Sequence, residues 1–204
     1  MKLNRIQKRF ANSGLRAWVQ ARFEVPRLLR CGGGLEAGTV LEVGCGCGEG
    51  VRLILSRFGA AHVTGVDIDP EQVETAQGRL KGLDDRVTLT CGDAQQLEYP
   101  DGAFDAVFDF QMLHHAEDWR AVVREVSRVL RPGGRFYLSE LCNVVLGNRL
   151  VRAVFEPNQA TTFDADALLA GCEQVGLSVR SGGVSRLGNA WVFACAVKPM
   201  SSPR

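Results

Sequence analysis

The 204-residue sequence lacks the features of several protein classes. It has no run near the ~18 apolar residues of a membrane span, so we expect no stable membrane insertion. Its first residues, M-K-L-N-R-I-Q-K-R-F, lack the apolar core and cleavage site of a signal peptide. Its seven cysteines are widely spread and include no C-x-x-C pair, which argues against a disulfide scaffold and against a zinc site. We expect one cytoplasmic globular domain without a metal site.

Two phosphate-binding motifs are missing as well, although residues 40–50 read V-L-E-V-G-C-G-C-G-E-G. The dinucleotide fingerprint G-x-G-x-x-G fails because Glu49 or Val51 occupies its last position. No G-K-[ST] follows, which excludes a P-loop. Glu49 near a helix start would also repel a pyrophosphate. The glycines therefore predict a nucleoside ligand without phosphates, and a nicotinamide-dependent oxidoreductase is a minor alternative.

What the sequence does contain is an alternation of strands and helices. Asp69 and Pro70 open one helix as its N-cap and first residue. The pattern predicts strands at 39–43, 62–66, 87–91, 104–110, 135–141, 177–184 and 190–197, and helices at 14–30, 51–58, 70–80, 119–130 and 164–175, with Pro132-Gly133-Gly134 stopping the helix at 119–130.

Strands separated by single helices favour right-handed βαβ units and a mainly parallel sheet. Only residues 185–189 separate the last two strands, and they lack a helical pattern. We therefore predict a single α/β domain with a Rossmann-like, doubly wound, mainly parallel seven-stranded sheet and an antiparallel C-terminal hairpin.

The N-terminal segment is strongly basic. Residues 1–30 hold eight Lys or Arg against one acid, Glu24. Leu15, Trp18, Val19 and Phe23 recur at helical spacing, which is typical of an amphipathic helix. A basic arm can meet anionic substrates, membranes or nucleic acid, and the alternative is a solvated helix face.

Five blocks of the sequence, in order, resemble the class I S-adenosylmethionine-dependent methyltransferases. They are E-V-G-C-G-C-G, V-T-G-V-D-I-D-P, C-G-D-A, F-D-A-V-F-D-F-Q-M-L-H-H and R-V-L-R-P-G-G-R-F-Y-L-S-E, within about residues 38–142. The blocks are also similar to those of ubiquinone- and menaquinone-biosynthesis C-methyltransferases. The resemblance implies S-adenosylmethionine (S-adenosyl-L-methionine) as cofactor and methyl transfer to a small molecule as the activity.

The resemblance implies a place for each part of the cofactor. Gly44, Gly46 and Gly48 would let the methionine part lie against bare backbone. Glu42 would order this loop and interact, directly or through water, with the ammonium group.

The nucleoside would bind at the ends of the next strands. Asp67, 23 residues beyond Gly44, would accept hydrogen bonds from both ribose hydroxyls. Ile68 would lie on the adenine face. Asp93 would accept from the adenine amino group while the Ala94 N–H donates to a ring nitrogen. Phe110 would offer its carbonyl to the ammonium.

Two histidines follow the fourth strand, where the transferred methyl should lie. His114 or His115 would act as general base if the acceptor must lose a proton. The alternative is that this pair packs against, or caps, the helix beginning near Asp118.

The acceptor is weakly defined. Strand four ends in D-F-Q-M rather than Asn/Asp-Pro-Pro-Tyr/Phe, and no Pro-Cys pair exists, which argues against methylation of DNA bases. A small-molecule acceptor and no nucleic-acid partner are therefore expected. Polar groups available after strand five are Glu140, Cys142, Asn143, Arg152 and Asn158.

Three alternatives remain open. The acceptor could be quinone-like or lipid-like. Cys31, Cys142 and Cys172 could hold a thiophilic substrate such as arsenite. The chain could also bind S-adenosylmethionine without catalysis, as a sensor. We expect residues 1–34 to form an arm or lid, 38–142 the cofactor-binding core, and 143–204 the substrate-side loop, helix and hairpin.

Overall fold

The computed structural model describes residues 5–143 and 163–200. Within these residues, seven strands form one sheet. The strands are β1 Thr39–Val43, β2 His62–Asp67, β3 Val87–Cys91, β4 Phe104–Phe110, β5 Leu130–Leu141, β6 Ser178–Leu187 and β7 Trp191–Val197.

Helices precede the sheet and connect its strands, and two of them continue in wider π-helical turns. The helices are α1 Arg5–Ala11, α2 Gly14–Val19, α3 Val25–Gly32, α4 Glu49–Leu53, α5 Pro70–Arg79, α6 Trp119–Val129 and α7 Ala165–Gln174. The π-helical stretch Gln20–Glu24 joins α2 to α3, and Ile54–Phe58 extends α4. Leu113–His115 forms one 3₁₀ turn.

The strand order is β3-β2-β1-β4-β5-β7-β6. The first five strands are parallel, whereas β7 pairs antiparallel with both β5 and β6. This arrangement confirms the predicted fold class. The direction of winding reverses between the neighbouring strands β1 and β4, so their carboxyl ends open the crevice where such sheets bind ligands.

Apolar side chains cover both faces of the sheet. Val122 and Leu168, from α6 and α7, are fully buried in one cluster. Leu28 and Ile54, from the other helical layer, are fully buried in a second cluster. Alternate residues of a strand point to opposite faces, so Tyr137 belongs to the second cluster while its strand neighbours belong to the first.

The predicted bounds of β1, β3 and β4 are confirmed, but the predicted boundary between α6 and β5 is wrong. The helix ends at Val129 and the strand begins at Leu130, which pairs with Phe104. The pairing then shifts register, and Gly133 donates to the Lys198 carbonyl at 2.8 Å. Sheet pairing therefore incorporates the Pro-Gly-Gly segment that the sequence suggested as a helix stop.

The N-terminal segment also differs from a simple amphipathic helix. A helix begins already at Arg5, ahead of the helix predicted at 14–30 and within the arm expected at residues 1–34. In the predicted helix, Leu15 and Trp18 are exposed, whereas the polar residues Gln20 and Glu24 are buried. The apolar stripe thus faces solvent, and a polar stripe faces the site described next.

Candidate active site

A cavity of about 360 Å³ lies at the carboxyl ends of β1, β2 and β4. Its volume falls within the ~300–1,000 Å³ typical of small-molecule sites. The cavity wall includes every predicted cofactor-binding residue except Gly48, namely Glu42, Gly44, Gly46, Asp67, Ile68, Asp93, Ala94 and Phe110. His114 and His115 line the cavity too, so the structure brings the predicted cofactor and catalytic residues together.

The three glycines of the loop after β1 serve different purposes. All three have positive φ, at 69°, 51° and 85° for Gly44, Gly46 and Gly48. A Cβ on Gly44 would lie 2.3 Å from Met112 Cγ, and one on Gly48 would lie 2.7 Å from Leu80 Cδ1. A Cβ on Gly46 meets nothing within 4 Å. Gly46 therefore exposes bare backbone to the cavity, whereas its neighbours make room for protein side chains.

Asp67 ends β2 and holds the glycine loop. Its Oδ2 accepts from the Gly46 N–H at 2.8 Å, and its Oδ1 accepts from the Asp69 N–H at 2.9 Å. Burial raises the pKa of this carboxyl, while the two backbone N–H groups oppose that rise. Each carboxylate oxygen has a second lone pair, so the side chain can hold the loop and still accept from two vicinal hydroxyls.

The capping role assigned to Asp69 is confirmed. Its Oδ1 accepts from the Glu71 N–H at 3.2 Å, at the start of α5. Asp93 uses its Oδ1 to accept from the Gln95 N–H at 2.9 Å, which is a turn-forming contact. Asp93, Ala94 and Ile68 all line the cavity, and Ile68 is 38% exposed. These residues form the part of the wall where the sequence placed an adenine.

Glu42 carries an unsatisfied buried atom. Its side chain is buried, and its Oε2 has no hydrogen-bond partner. Burial raises the pKa of this carboxyl well above its usual value, and Asp67 and Asp109 raise it further. A Cβ on Gly50 would lie only 1.9 Å from Glu42 Oε1, so the last glycine of the stretch makes room for this acid. An orphaned carboxylate oxygen in a cavity wall fits a cationic ligand group.

A second polar cluster, which sequence analysis missed, joins the N-terminal helices to β5. Glu24 is fully buried and pairs with Arg16 through a short contact. Glu24 also accepts from Ser139 Oγ at 2.9 Å and from Gln111 Nε2 at 3.3 Å. Arg16 Nη2 lies 3.5 Å from the Phe110 carbonyl, the acceptor that the sequence assigned to the cofactor ammonium.

The histidine next to the cavity is held by a carboxyl of β5. His114 Nδ1 lies 2.6 Å from Glu140 Oε2, and Glu140 Oε1 accepts from the Leu113 N–H at 2.6 Å. Burial raises the pKa of Glu140 to about 8 and lowers the pKa of His114 to about 4. Asp109 lies behind Glu140, and burial and Glu140 raise its pKa well above the usual value. At neutral pH this cluster favours an uncharged imidazole.

His115 follows directly, and its ring centroid lies 4.1 Å from that of His114. Burial lowers the pKa of His115 well below its usual value, and His114 lowers it further. Asp118, not a histidine, caps α6 through the Arg120 N–H at 2.9 Å. The capping alternative for the histidine pair is therefore wrong.

The proposed trio of cysteines is not assembled. Cys31 lies in one hydrophobic cluster, whereas Cys142 and Cys172 lie in the other, across the sheet. None of the three lines the cavity. Within the described residues, no group of three or more His, Cys, Asp or Glu is arranged to hold a metal ion. The thiol-based arsenite hypothesis is wrong because these side chains serve as small buried apolar groups.

Two signals in the sequence point to the missed cluster. Asp109 interrupts the apolar run of β4 with an acid, and Glu24 is an acid in a basic segment. Gln111, directly after β4, has a φ of 67°, which is uncommon for a residue other than glycine. Arg152 and Asn158, suggested for the substrate side, lie outside the described residues.

A known family and several curated relatives match part of this chain. Residues 41–138 match the family described as "Methyltransferase domain". A 27-O-demethylrifamycin SV methyltransferase from Amycolatopsis mediterranei is 42% identical over 109 residues, which are 52% of this chain and 40% of that protein. A sterol 24-C-methyltransferase from Gibberella zeae is 41% identical over 103 residues, 50% of this chain and 27% of that protein. The chain spans less than half the length of these relatives.

Solved structures share the fold over most of the chain. A SAM-dependent methyltransferase from Aquifex aeolicus has a TM-score of 0.76 at 18% identity and covers 97% of this chain and 100% of its own. A geranyl diphosphate C-methyltransferase from Streptomyces coelicolor, solved with Mg²⁺, geranyl diphosphate and S-adenosyl-L-homocysteine, has a TM-score of 0.71 at 20% identity, covering 89% and 80%. The [4+2]-cyclase SpnF has a TM-score of 0.71 at 22% identity, covering 87% and 81%.

The seven-stranded sheet, the glycine loop after β1 and the acid at the end of β2 define the class I S-adenosylmethionine-dependent methyltransferase architecture. Residues 41–138 match the methyltransferase domain family, and the chain as a whole shares the fold of these proteins. The more specific likeness to ubiquinone- and menaquinone-biosynthesis enzymes stays a prediction.

Proposed function

We propose that the chain transfers the methyl group of S-adenosylmethionine to a small-molecule acceptor. The observation that carries this proposal is Asp67, whose carboxylate holds the Gly46 N–H at 2.8 Å and faces the same cavity as the orphaned Glu42 oxygen. One acid at the end of β2 and one at the end of β1 suit a ribose and an ammonium group of a single ligand.

The wall of the cavity fits the cofactor group by group. When bound, S-adenosylmethionine supplies an activated methyl group on its sulfonium. Asp67 would hold the ribose hydroxyls, and Ile68 and the Asp93-Ala94 turn would hold the adenine. Glu42 and the backbone at Gly46 would hold the methionine part. Arg16 is the one Lys or Arg among the described residues that line the cavity, and it suits the carboxylate.

The pair of His114 and Glu140 supports an acceptor that must lose a proton, such as a hydroxyl. Because Nδ1 is committed to Glu140, a proton from the acceptor would enter the ring at Nε2. Glu140 acts as a positioning residue, since its Oε1 is fixed by the Leu113 N–H and its Oε2 fixes the ring. His114 is therefore a stronger candidate base than His115.

The acceptor itself is proposed only as a class. Relatives and structural neighbours are named for a rifamycin precursor, sterols and geranyl diphosphate, all small molecules with extended apolar parts. Phe10, Met112, Val122 and Leu141 give the cavity wall apolar side chains. These residues favour an acceptor with an apolar body, including the lipid-like alternative.

The same proposal assigns a role to each segment of the chain. Residues 1–34 would act as the lid, because Phe10, Asn12, Arg16 and Gln20 line the cavity from outside the sheet. Residues 38–142 would bind the cofactor, and 143–204 would complete the acceptor side. A cytoplasmic location stays a prediction, and within the described residues no helix is long and apolar enough to cross a membrane.

A second candidate function is binding of S-adenosylmethionine without methyl transfer. The [4+2]-cyclase among the structural neighbours favours keeping it, because that protein shares the fold and is named for a reaction other than methyl transfer. The pair of His114 and Glu140 argues for catalysis, since a sensor has no need of a poised base.

The test combines binding and turnover with the full chain. Calorimetry should detect S-adenosylmethionine and S-adenosylhomocysteine but not NAD. A labelled-methyl assay against metabolite pools and cell extract should then give a labelled small molecule. Binding of NAD alone would contradict the family's cofactor chemistry for this chain. Binding of S-adenosylmethionine with no labelled product in any pool would favour the sensor.

A further inference from the structure

The helices of residues 5–34 turn large apolar side chains outward. Ile6 and Phe10 on α1 are 61% and 43% exposed, and Leu15, Trp18 and Phe23 on the following helix are 61%, 54% and 40% exposed. The Trp18 and Phe23 rings pack edge to face with centroids 5.5 Å apart. Within the described residues, five of the eight exposed large apolar side chains lie on this one segment, which marks an interaction surface.

Polar contacts fix which side of the segment faces outward. Lys8 Nζ lies 2.5 Å from Asp69 Oδ2 and 2.6 Å from Glu71 Oε2, at the start of α5. The side-chain amides of Asn12 and Gln72 exchange hydrogen bonds at 3.0 and 3.3 Å. Rolling the helices to bury the apolar side chains would break these contacts. The outward apolar face is therefore built into the fold.

The charge of this face is of one sign. The only acid in residues 5–34 is Glu24, which is fully buried and paired with Arg16. Arg9, Arg22 and Arg30 are exposed. The outer face therefore offers aromatic and aliphatic groups together with arginines and no carboxylate. We call these exposed residues of 5–34 the arm face.

We propose that the arm face docks the protein on an anionic lipid bilayer, with its helices lying in the interface. Basic residues interleaved with Trp, Phe and Leu are the composition of helices that bind lipid surfaces in this way. Two other occupants fit less well. A second copy would oppose arginine to arginine across a two-fold axis, and the phosphates of a nucleic acid offer nothing to Ile6 or Leu15.

Docking would also place the cavity beside the lipid. Phe10 belongs to the arm face and also lines the cavity. Its neighbours Ala11 and Asn12 line the cavity too. A membrane-dissolved acceptor could then reach the cavity without crossing water. This consequence, unlike the docking itself, rests on the proposed methyl transfer.

The test measures binding of the full chain to vesicles by co-sedimentation, with no substrate present. We compare phosphatidylcholine vesicles with phosphatidylcholine–phosphatidylserine vesicles, at low and at raised salt. Wild type should bind the anionic vesicles and lose binding as salt screens the charges. Arg9→Glu/Arg22→Glu should weaken binding on the order of 30-fold, because each basic residue near an anionic surface contributes about a threefold to tenfold gain.

The apolar part is tested separately. Leu15→Ser/Trp18→Ser should weaken binding on the order of 30-fold or more, from the area each side chain buries in lipid. The matched control is Leu187→Ser/Arg120→Glu, which changes an exposed leucine on β6 and an exposed arginine on α6. The control should bind like wild type. Unchanged affinity for S-adenosylhomocysteine shows that each variant is folded.

Three results would overturn the proposal. The first is no difference between neutral and anionic vesicles, or an equal loss in the control variant. The second is a lipid-free dimer that Leu15→Ser/Trp18→Ser dissolves, which would assign the arm face to a second copy. The third is that DNA or RNA competes the protein off the vesicles, and that its binding to the nucleic acid is unchanged in Leu15→Ser/Trp18→Ser.

Discussion

The two walls of the cavity are built in different ways. The wall proposed for the cofactor, called the cofactor wall, is formed by Glu42, Gly46, Asp67, Ile68, Asp93 and Ala94. It uses backbone groups and the ends of neighbouring strands. Its key contact joins Gly46 to Asp67, 21 residues apart. The acceptor wall contains His114, which Glu140 holds. The neighbouring polar cluster of Arg16, Glu24, Gln111 and Ser139 joins side chains that are distant in sequence. Glu24 and Ser139 are 115 residues apart, and Glu24 and Gln111 are 87 apart.

The cofactor wall follows from the sheet topology, which the structural neighbours share. The other contacts depend on particular side chains of this chain. Parallel neighbours in the sheet bring the ends of β1, β2 and β3 to one edge, so any sequence with this topology brings the loops after these strands together there. The acceptor wall has no such geometric guarantee. It depends on the contact of His114 with Glu140 of β5 and on an N-terminal segment whose buried Glu24 pairs with Arg16.

The largest effect is expected in the acceptor wall. His114→Ala should lower kcat on the order of a thousandfold, because a positioned base contributes ~10²–10⁴-fold to such steps. Affinity for S-adenosylhomocysteine should stay near that of wild type. The measurement is turnover with an acceptor identified by the labelled-methyl screen, alongside calorimetry.

His115→Ala serves as the matched control for this variant. It removes the adjacent ring but leaves the contact of His114 Nδ1 with Glu140 intact, so its loss of kcat should be much smaller. Equal losses in the two variants, or turnover at the wild-type rate in His114→Ala, would remove His114 from the role of base.

Substitutions in the cofactor wall should instead lower the affinity for the cofactor. Asp67→Ala removes an anionic acceptor of two hydroxyls, each such bond contributing roughly 1.5 kcal/mol, and it releases the Gly46 and Asp69 N–H groups. We expect S-adenosylhomocysteine to bind on the order of a hundredfold more weakly by calorimetry. Asp85→Ala, at an exposed acid after α5, is the control and should bind normally. Normal binding by Asp67→Ala would separate this acid from the cofactor.

The sequence predicted the cofactor wall in more detail than the acceptor wall. The bounds of β1, β3 and β4 and the positions of Gly46 and Asp67 follow from local patterns of apolar residues, glycines and acids. The glycine loop was predicted as a unit, yet only Gly46 faces open space. Which atoms a glycine must avoid is a property of tertiary packing, so the roles of its two neighbours could not be predicted.

The polar cluster of Arg16, Glu24, Gln111 and Ser139 was missed because helix periodicity finds apolar stripes and assigns them to a core. In residues 14–32 the buried stripe includes Gln20 and Glu24, and the exposed one includes Leu15 and Trp18. A polar stripe is buried only when its partners are present, and those partners, Gln111 and Ser139, lie 87 and 115 residues beyond Glu24 in the chain. A local sequence pattern does not show which distant residues will pair.

A smaller effect comes from the proton on Glu140. With its pKa near 8, the carboxyl is mostly protonated at pH 7 and donates to His114 Nδ1, which leaves the proton of the ring on Nε2. Loss of the carboxyl proton reverses this bond and makes Nε2 an acceptor. The rate should therefore rise, roughly tenfold, as pH increases through about 8.

The groups that face this pair are Asp109 on β4, Glu24 and Arg16 on the N-terminal helices, and His115. Glu140→Gln removes the group that titrates near pH 8, so the rise in the pH–rate profile should disappear while cofactor affinity is retained. The same rise in both proteins would assign it to another group. Such a result would end the positioning role of Glu140.

The smallest expected effect is the loss of stability in Gly46→Ala, which can be compared with the loss of ligand affinity in the same variant. Gly46→Ala places a side chain at φ 51° without a steric neighbour within 4 Å, so thermal unfolding should show a loss of only about 1 kcal/mol. Gly78→Ala, in the exposed last turn of α5 and also without a neighbour within 4 Å, should instead gain roughly 0.5 kcal/mol. Because the new Cβ of Gly46→Ala enters the space reserved for the cofactor, S-adenosylhomocysteine affinity should fall by more than the stability change. An equal affinity in the two variants would mean that no ligand lies against this loop.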